Sequence, residues 1–271
     1  MTEATVIISF YNRVDYLRLL IAGFEKQSSR DFEIIIADDG SSQEAVGVVN
    51  KIIDSTHIPV RHLWHEDKGF RKNRILNKAV TAAESEYLIF VDGDCIPHRE
   101  FLSGHLGGRR PGTALTGRRV NLSEKITRRL TPEMIADGYF ERNFLTLFWD
   151  GIFGDSYDVE KGIYLSDGFL RNLFNKKKRG LLGCNFSLFK DDLLRINGFD
   201  ERYEAPSIGE DSDVQYRLEM VGTEIKSLNH AAVQYHLYHQ IQPRRQENLD
   251  LFEQVKNDNR PFTPFGIKKT A

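Results

Sequence analysis

Two hydrophobic periodicities alternate along the first hundred residues. Short runs rich in β-branched residues predict strands at 4–10, 31–42, 58–65 and 86–94. Apolar positions spaced three and four residues apart predict helices at 15–27, 44–53 and 72–83. Strands that alternate with helices are typical of an α/β fold with a mostly parallel central sheet flanked by helices on both faces.

The alternation weakens beyond residue 102. The segment 103–182 is rich in Gly, Arg, Phe and Leu and shows no clear period. A strand followed by a helix at about 190–196 is predicted within 180–200, a strand-like run within 231–239 and a helix within 244–258. We therefore divide one domain, 1–271, into three parts: a Rossmann-like nucleotide-binding half (1–102), a variable segment (103–182) and an acceptor-binding, catalytic half (183–271).

Composition narrows the class of protein. The 271 residues are 40% hydrophobic, enough for a substantial core, and the net charge of −2 gives no basic bias of the kind that binds nucleic acid. No apolar run approaches the roughly 18 residues needed to span a bilayer, and no secretory signal is visible. The two cysteines lie far apart and suggest no disulfide framework. We expect a cytoplasmic protein.

Polar residues follow three predicted strands at the point where each ends. They are Ser9 to Asn12, Asp38 with Asp39, and Asp92 with Asp94. Ligands of open α/β sheets bind outside the carboxyl ends of the strands, so these side chains indicate a site. If Asp38 and Asp39 are considered alone, a structural role explains them equally well: their side chains can stabilise a turn and cap the following helix.

Asp92-Gly93-Asp94 has the character of a cation site. Two carboxylates one residue apart can face one hard divalent cation, and glycine lets the backbone bend between them. Such an ion is usually shared with substrate phosphates. The alternative is a solvated turn.

Three other groups of residues could join this chemistry. A basic cluster lies at a predicted helix start: Lys68, Arg71, Lys72 and Arg74. It is either a clamp for an anion or a solvated basic turn. An acidic cluster precedes an amphipathic stretch: Glu210, Asp211 and Asp213. These acids either supply a general base with its neighbours or cap the following helix. His236 and His239 end a predicted strand. They are either metal ligands, which suit Mn²⁺ better than Mg²⁺, or a solvated pair on the surface.

The order of these segments resembles that of family 2 glycosyltransferases of GT-A fold, and more closely the β-1,4-galactosyltransferases. "GFRKNRILN" (69–77) is similar to that family's F-N-R-A-K-L-L-N, and "DGDCIP" (92–97) to its D-V-D-L-I-P. "INGFDERYEAPSIGEDSDVQYRL" (196–218) resembles I-N-G-F-x-x-x-Y-W-G-W-G-G-E-D-D-D-x-x-x-R-L. "YHLYH" (235–239) resembles the region with the family's late metal ligands.

The resemblance implies a role for each matching residue. Asp211 would be the catalytic base with Glu210 beside it, and Gly209, Glu210 and Asp213 would bind acceptor. Asp94, His236 and His239 would hold Mn²⁺ (or Mg²⁺). The nucleotide sugar would contact Ser9, Tyr11, Asn12, Arg13, Asp38, Asp39, Phe70, Arg71, Lys72, Asp92 and Gly93.

The implied activity is inverting, metal-dependent transfer of a hexosyl group from a UDP-sugar, galactose first and N-acetylhexosamine second, to a glycan or lipid-linked glycan. Three departures stand out: residues 203–211 lack the family's tryptophans and are one residue longer, Lys72 replaces an arginine, and 103–182 has no counterpart. A nucleotidyltransferase or a non-catalytic sugar-nucleotide-binding module stays open as an alternative.

One further expectation concerns residues 162–179, where apolar residues precede the basic run 176–179. The segment is either a peripheral contact with the inner face of a membrane or a lid packed on the core.

Overall fold

The computed structural model describes residues 2–166, 168–174, 180–206, 210–240, 243 and 245–269, and leaves out the side chains of 172–174 and 210. Its strands are β1 (Ala4–Phe10), β2 (Phe32–Asp38), β3 (Val60–Trp64), β4 (Tyr87–Asp92), β5 (Cys95–Pro97), β6 (Thr113–Thr116), β7 (Arg118–Asn121), β8 (Asn185–Phe189), β9 (Glu224–Ser227) and β10 (Val233–His236). Its helices are α1 (Val14–Glu25), α2 (Gln43–Ser55), α3 (Lys72–Ala82), α4 (Phe101–Gly108), α5 (Glu124–Thr127), α6 (Pro132–Ala136), α7 (Tyr139–Arg142), α8 (Phe144–Phe153), α9 (Gly168–Phe174), α10 (Lys190–Arg195), α11 (Glu210–Met220) and α12 (Gln246–Asp258), with a 3-10 helix at Val159–Gly162.

A seven-stranded sheet in the order β3-β2-β1-β4-β8-β6-β9 forms the centre of the molecule. The strands β3, β2, β1 and β4 pair in parallel, as do β6 and β9. Strand β8 runs antiparallel to both of its neighbours, β4 and β6. The predicted mostly parallel sheet is therefore confirmed, and strands from all three predicted parts of the chain belong to it.

Both faces of this sheet are buried. In β1, Val6 and Ile8 pack into one apolar cluster with α1 and α2, whereas Ile7 packs into a second cluster with α3 and α11. Successive side chains of a strand point to opposite faces, so an unbroken apolar run requires cover on both sides. The continuous apolar strands of the sequence follow from this packing.

A second, three-stranded sheet in the order β5-β10-β7 lies at the end of the first. Strand β5 follows β4 after a turn at Gly93 and Asp94, and β10 pairs with it so that His236 is opposite Cys95. The late strand of the chain is thereby brought against the end of β4, which is what joins the two candidate metal-binding segments.

The elements predicted in the first hundred residues are confirmed within a few residues, as are β8, α10, β10 and α12. Between 103 and 182, where the sequence shows no clear period, the chain forms short helices and the strands β6 and β7. The three-part division into functional halves stays a prediction.

Helix α8 turns an apolar face away from the protein. Leu145, Phe148, Trp149, Ile152 and Phe153 are 44–80% exposed, and their spacing places them on one side of the helix. The Trp149 and Phe153 rings stack with centroids 5.5 Å apart. Among the described helices, none combines the length and apolar character that a membrane span requires.

Candidate active site

A cleft of about 740 Å³ opens where β1, β2 and β4 end. Its volume lies in the range of small-molecule sites, and its position is the one expected for ligands of open α/β sheets. It brings together most of the site residues predicted from sequence: Ser9, Tyr11, Arg13, Asp39, Phe70, Lys72, Asp92, Gly93, Asp94, Asp211, His236 and His239.

Asp92, at the end of β4, is held by two neighbours. Ser9 Oγ donates a 2.5 Å hydrogen bond to Asp92 Oδ1, and Lys72 Nζ lies 2.8 Å from the same oxygen. Lys72 is the first residue of α3, so the start of this helix places the Lys72 ammonium group beside the end of β4. Asp92 lines the cleft, and both of these contacts are made by Oδ1.

Gly93 follows at a point of close backbone approach. Its N–H donates to the Ser9 carbonyl oxygen at 2.9 Å. A Cβ atom at position 93 would lie only 3.0 Å from that oxygen, tighter than ordinary contact. A glycine avoids this crowding, so the turn can pass close to the end of β1 before Asp94.

Asp94, His236 and His239 converge on one point. His239 Nε2 lies 3.1 Å and His236 Nε2 lies 3.5 Å from Asp94 Oδ2, and the two Nε2 atoms are 3.2 Å apart. Ligands held about 2.1 Å from an ion stand about 3.0 Å apart in octahedral and about 3.4 Å apart in tetrahedral geometry. The three atoms therefore fit around a divalent cation without rearrangement.

The charge of Asp94 suits a cation, whereas the hydrogen bond with Asp94 raises the pKa of His239, so a metal ion has to displace a proton from that imidazole. Burial alone would raise the pKa of Asp94, but hydrogen bonds with His236 and His239 hold that pKa well below its usual range, so the carboxylate is charged. His239 Nδ1 lies 2.9 Å from the Gln240 carbonyl oxygen, a contact that favours the proton on Nδ1 and leaves Nε2 as a ligand. One carboxylate oxygen and two imidazoles suit Mn²⁺ better than Mg²⁺.

A thiol lies at the edge of the same group. The ligand atoms of Asp94, Cys95 and His236 are all within 4.8 Å of one another. Burial raises the pKa of the Cys95 thiol well above its usual value, so in the absence of a metal the sulfur is protonated and neutral. For a hard cation such as Mn²⁺, His239 is therefore the better third ligand than Cys95.

Asp39, at the start of the β2–α2 turn, holds two loops in place. Its Oδ1 lies 2.7 Å from His65 Nε2, and its Oδ2 accepts the Arg71 backbone N–H at 2.8 Å. Burial raises the pKa of Asp39 despite both contacts. The carboxylate lines the cleft and links β2 to the loop that leads into α3.

Asp211 lies in the first turn of α11 and also lines the cleft. Its Oδ2 accepts the Gly183 N–H at 3.3 Å, and its Oδ1 accepts the Ser212 N–H at 2.7 Å. Gly183 and Cys184, just before β8, line the cleft beside it. The structure thus places a carboxylate in the same cleft as the candidate metal ligands. Gly209 and the side chain of Glu210 lie outside the described residues, so their predicted roles stay predictions.

The structure corrects the acceptor-binding role predicted for Asp213. The side chain is buried inside the protein, where its Oδ2 pairs with Arg217 Nε at 2.8 Å and with Arg217 Nη2. Arg217 also donates to the carbonyl oxygens of Ile196 and Gly198. Asp213 is therefore part of the packing of α11, and the spacing Asp213-x-x-x-Arg217 was the signal for this pair.

Three predicted nucleotide-binding residues support the cleft and do not line it. Asp38 is fully buried, where Oδ2 lies 2.9 Å from His62 Nε2 and Oδ1 accepts the Ser41 N–H. Asn12 Oδ1 accepts the Ser42 N–H, which ties the β1 loop to the start of α2. The Arg71 guanidinium donates to the Glu66 carbonyl oxygen. The burial of Asp38 contradicts its assignment as a direct ligand of the nucleotide, and the roles predicted for Asn12 and Arg71 stay predictions.

Sequence reasoning missed several residues that line the cleft. Asp67 accepts a 3.0 Å hydrogen bond from the Tyr11 hydroxyl, which raises the pKa of Tyr11. Arg119 reaches in from β7 and donates to Cys184 Sγ at 3.3 Å. Its place depends on the pairing of β7 with β10, which no local pattern reveals. For Asp67, its closeness to the basic cluster 68–74 was an available signal.

Two family models match the chain. The model described as glycosyl transferase family 2 matches residues 5–159, which is more than half of the chain, and the model described as N-terminal domain of galactosyltransferase matches residues 171–240. The first runs from β1 through α8, and the second includes β8, α11 and β10. The resemblance inferred from the sequence is confirmed.

Curated relatives agree with these models. The chain is 25% identical to the chondroitin synthase of Escherichia coli over 264 residues, covering 91% of this chain and 36% of that protein. It is 31% identical over 104 residues to poly(ribitol-phosphate) beta-N-acetylglucosaminyltransferase TarS of Staphylococcus aureus, covering 38% of this chain and 18% of that protein. The chain thus spans about a third or less of the length of these relatives.

Solved structures confirm the GT-A fold. The mannosyltransferase PcManGT from Pyrobaculum calidifontis in complex with GDP-Man and Mn²⁺ matches with a TM-score of 0.58 and 16% identity, over 88% of this chain and 58% of that one. S. aureus TarS 1–349 in complex with UDP matches with a TM-score of 0.57 and 18% identity, over 95% of this chain and 65% of that one.

Proposed function

The chain belongs to glycosyl transferase family 2, and we propose that it transfers a hexosyl group from a UDP-sugar, with inversion, to a hydroxyl of a glycan or lipid-linked glycan. One observation carries this proposal: the cation-binding trio Asp94, His236 and His239 shares a cleft with the Asp211 carboxylate. A leaving diphosphate needs positive charge, and an attacking hydroxyl needs a base. Galactose is the first choice of donor sugar, and N-acetylhexosamine is the second.

The donor nucleotide is proposed to lie across the ends of β1, β2 and β4. Tyr11, Arg13 and Phe70 line this part of the cleft and offer aromatic faces and a cation. Ser9 and Asp39 offer hydrogen-bond acceptors for the base and sugar of the nucleotide. The UDP held by the similar TarS structure supports a uridine nucleotide in this position.

The diphosphate is proposed to lie between Lys72 and the cation-binding trio. Bound Mn²⁺ (or Mg²⁺), held by Asp94, His236 and His239, would neutralise the charge that develops on the leaving diphosphate. Lys72 already stands 2.8 Å from Asp92 and can shift towards an entering phosphate. Its single ammonium gives a point charge where a guanidinium would give a two-point contact.

Asp211 is proposed to accept the proton of the acceptor hydroxyl. The hydroxyl oxygen then attacks the anomeric carbon from the face opposite the diphosphate, so the bond to the diphosphate oxygen breaks as the new glycosidic bond forms. The Gly183 N–H holds Asp211 in the cleft at 3.3 Å. Gly209 and Glu210 are the proposed acceptor contacts, because they lie next to this base in the chain.

We also propose that the protein is cytoplasmic and that it makes peripheral contact with the inner face of a membrane. The exposed face of α8 supports it, because five large apolar side chains in contact with water are unfavourable unless a lipid or protein surface covers them. Helix α9 exposes Phe169 and Leu170 in the same region of the sequence. A lipid-linked acceptor would be reached from such a position. The basic run 176–179 lies outside the described residues.

A panel of UDP-sugars tests the proposal. The chain is incubated with Mn²⁺ and with UDP-galactose, UDP-glucose or a UDP-N-acetylhexosamine, and released UDP and the anomer of the sugar product are measured. We expect UDP release, fastest with UDP-galactose, and a product of inverted configuration. Release of pyrophosphate or of a nucleoside monophosphate would identify a nucleotidyltransferase, and binding without release would identify a non-catalytic module.

A further inference from the structure

Cys95 is placed to reach the same cation as Asp94. It is the first residue of β5, is fully buried, and is directly opposite His236 in the antiparallel pair of β5 and β10. Residues opposite each other in a strand pair project to the same face of the sheet. Cys95 Sγ also lies 3.3 Å from Asp94 Oδ1, and its sulfur is within 4.8 Å of the ligand atoms of Asp94 and His236.

The other cysteine of the chain is not equivalent. Cys184 lines the cleft, but its sulfur accepts a 3.3 Å hydrogen bond from Arg119 Nη1. This hydrogen bond occupies a lone pair of the Cys184 sulfur. Of the two buried thiols, Cys95 is the one whose sulfur lies within 4.8 Å of the ligand atoms of Asp94 and His236.

The geometry points to a second mode of metal binding, in which Asp94, Cys95 and His236 hold Zn²⁺ or Co²⁺ and the Cys95 sulfur takes the place of the His239 nitrogen. Zinc prefers thiolate and imidazole in a tetrahedral site, whereas Mn²⁺ prefers oxygen and imidazole. On binding, the Cys95 S–H bond breaks, the sulfur forms the bond to the metal, and the proton passes to solvent with no change of oxidation state. This inference rests on the metal site of the proposed function.

The two modes have different consequences for the donor. Octahedral Mn²⁺ with three protein ligands keeps three positions that diphosphate oxygens can occupy. Tetrahedral zinc held by Asp94, Cys95 and His236 keeps one such position. Zinc binds nitrogen and sulfur ligands more tightly than manganese does. Zinc should therefore displace manganese from the site and weaken binding of the diphosphate, and so inhibit the enzyme in the presence of Mn²⁺.

Cobalt absorption tests the thiolate ligand directly. The full chain is freed of metal with a chelator and titrated with Co²⁺, and the near-ultraviolet band of sulfur-to-cobalt charge transfer is recorded. We expect the band in the wild type and in Cys184→Ser, the matched control, and its loss in Cys95→Ser. Co²⁺ binding without the band in the wild type, or a band that persists in Cys95→Ser, would overturn the inference.

Affinity gives an independent measure. Zn²⁺ affinity should fall by about 100-fold or more in Cys95→Ser, since loss of a ligand exceeds the 10–100-fold loss seen for partners that only orient ligands. Mn²⁺ affinity should change far less, so the ratio of the two affinities falls. An unchanged ratio contradicts the inference. Circular dichroism and the melting temperature check the fold of each variant.

Two measurements on the wild type keep the test independent of variants. X-ray absorption of the zinc-loaded chain should show a sulfur at about 2.3 Å. Zinc scattering from nitrogen and oxygen alone would overturn the inference even if Cys95→Ser fails to fold. Mn²⁺-dependent UDP binding is measured separately: a chain that shows the sulfur ligand but binds no UDP refutes the proposed transferase and leaves this inference standing.

Discussion

His239 Nε2 lies 3.1 Å from Asp94 Oδ2, although the two residues come from distant parts of the chain. The pairing of β10 with β5 brings them together, and His236 completes the group from the end of β10. The carboxylate that follows β4 thus gains two imidazoles from a strand near the end of the sequence. The proposed metal dependence follows from this convergence.

Removal of either histidine should weaken Mn²⁺ binding. We expect His236→Ala and His239→Ala each to lower Mn²⁺ affinity by about 100-fold or more, because each removes a ligand. His57→Ala is the matched control, since His57 is exposed and lies away from the cleft. The free ion is measured by electron paramagnetic resonance. Equal Mn²⁺ affinity in all three variants would exclude the trio as the metal site.

Lys72 should contribute to diphosphate binding. We expect Lys72→Met to lower UDP affinity about 10- to 100-fold, since a hydrogen bond to a charged group is worth roughly 1.5–3 kcal/mol. UMP affinity should fall less. Lys68→Met removes an exposed cation of the same cluster and serves as control. Calorimetry with UDP, UMP and uridine provides the comparison, and an equal loss for UDP and uridine would argue that Lys72 does not contact the diphosphate.

The pair of Asp213 and Arg217 should support stability. Arg217→Met leaves a buried carboxylate without its partner, which costs about 3–5 kcal/mol of unfolding free energy. Arg195→Met, at a half-exposed arginine on the neighbouring α10, should cost far less. Urea unfolding measures both. A loss below 1 kcal/mol for Arg217→Met would contradict the structural role.

The same variant should show a characteristic pH dependence. Burial already raises the pKa of Asp213 in the folded protein, and loss of Arg217 removes the main opposing charge. A carboxyl whose folded pKa is raised stabilises the fold fully at low pH and loses that contribution as the pH rises through this pKa. Arg217→Met should therefore lie closer to wild-type stability at pH 5 than at pH 8. A gap that widens towards acid pH would contradict this.

The exposed face of α8 should insert into anionic membranes. We expect the wild type to sediment with vesicles that contain phosphatidylglycerol, with a blue shift of Trp149 emission, and the double variant Phe148→Ser, Trp149→Ser to remain in the supernatant. Phe262→Ser, at an exposed phenylalanine outside α8, is the control. Self-association of the wild type without vesicle binding would assign the face to a second copy of the chain instead.

Much of the nucleotide-binding half could be predicted from local pattern. The apolar runs of β1, β2 and β4 are buried on both faces, so each strand stands out from the amphipathic helices between them. Polar residues at the strand ends then predicted the edge of the sheet where the cleft opens. Parallel strands bring their ends together without any long-range information beyond their order.

The remainder depends on contacts that local pattern does not encode. β8 enters the sheet antiparallel, between β4 and β6, and thereby carries Gly183 and Cys184 to the cleft. Arg119 arrives through the pairing of β7 with β10. The spacing of His236 and His239 already indicated a metal site, and the family resemblance agreed. Neither could predict that Asp213 turns inward to Arg217, since acids of one cluster can face either side of a helix.

The most direct test of the proposed mechanism is Asp211→Asn. The change removes the proposed base and nearly preserves the size of the side chain, so UDP-sugar binding should persist within a few-fold while transfer falls by about 100-fold to 10,000-fold. Asp191→Asn, at the start of α10, is the control. Binding is measured by calorimetry, and transfer by UDP release in the presence of an acceptor sugar. Loss of transfer with retained binding is the predicted result; transfer at the wild-type rate in Asp211→Asn would contradict the account.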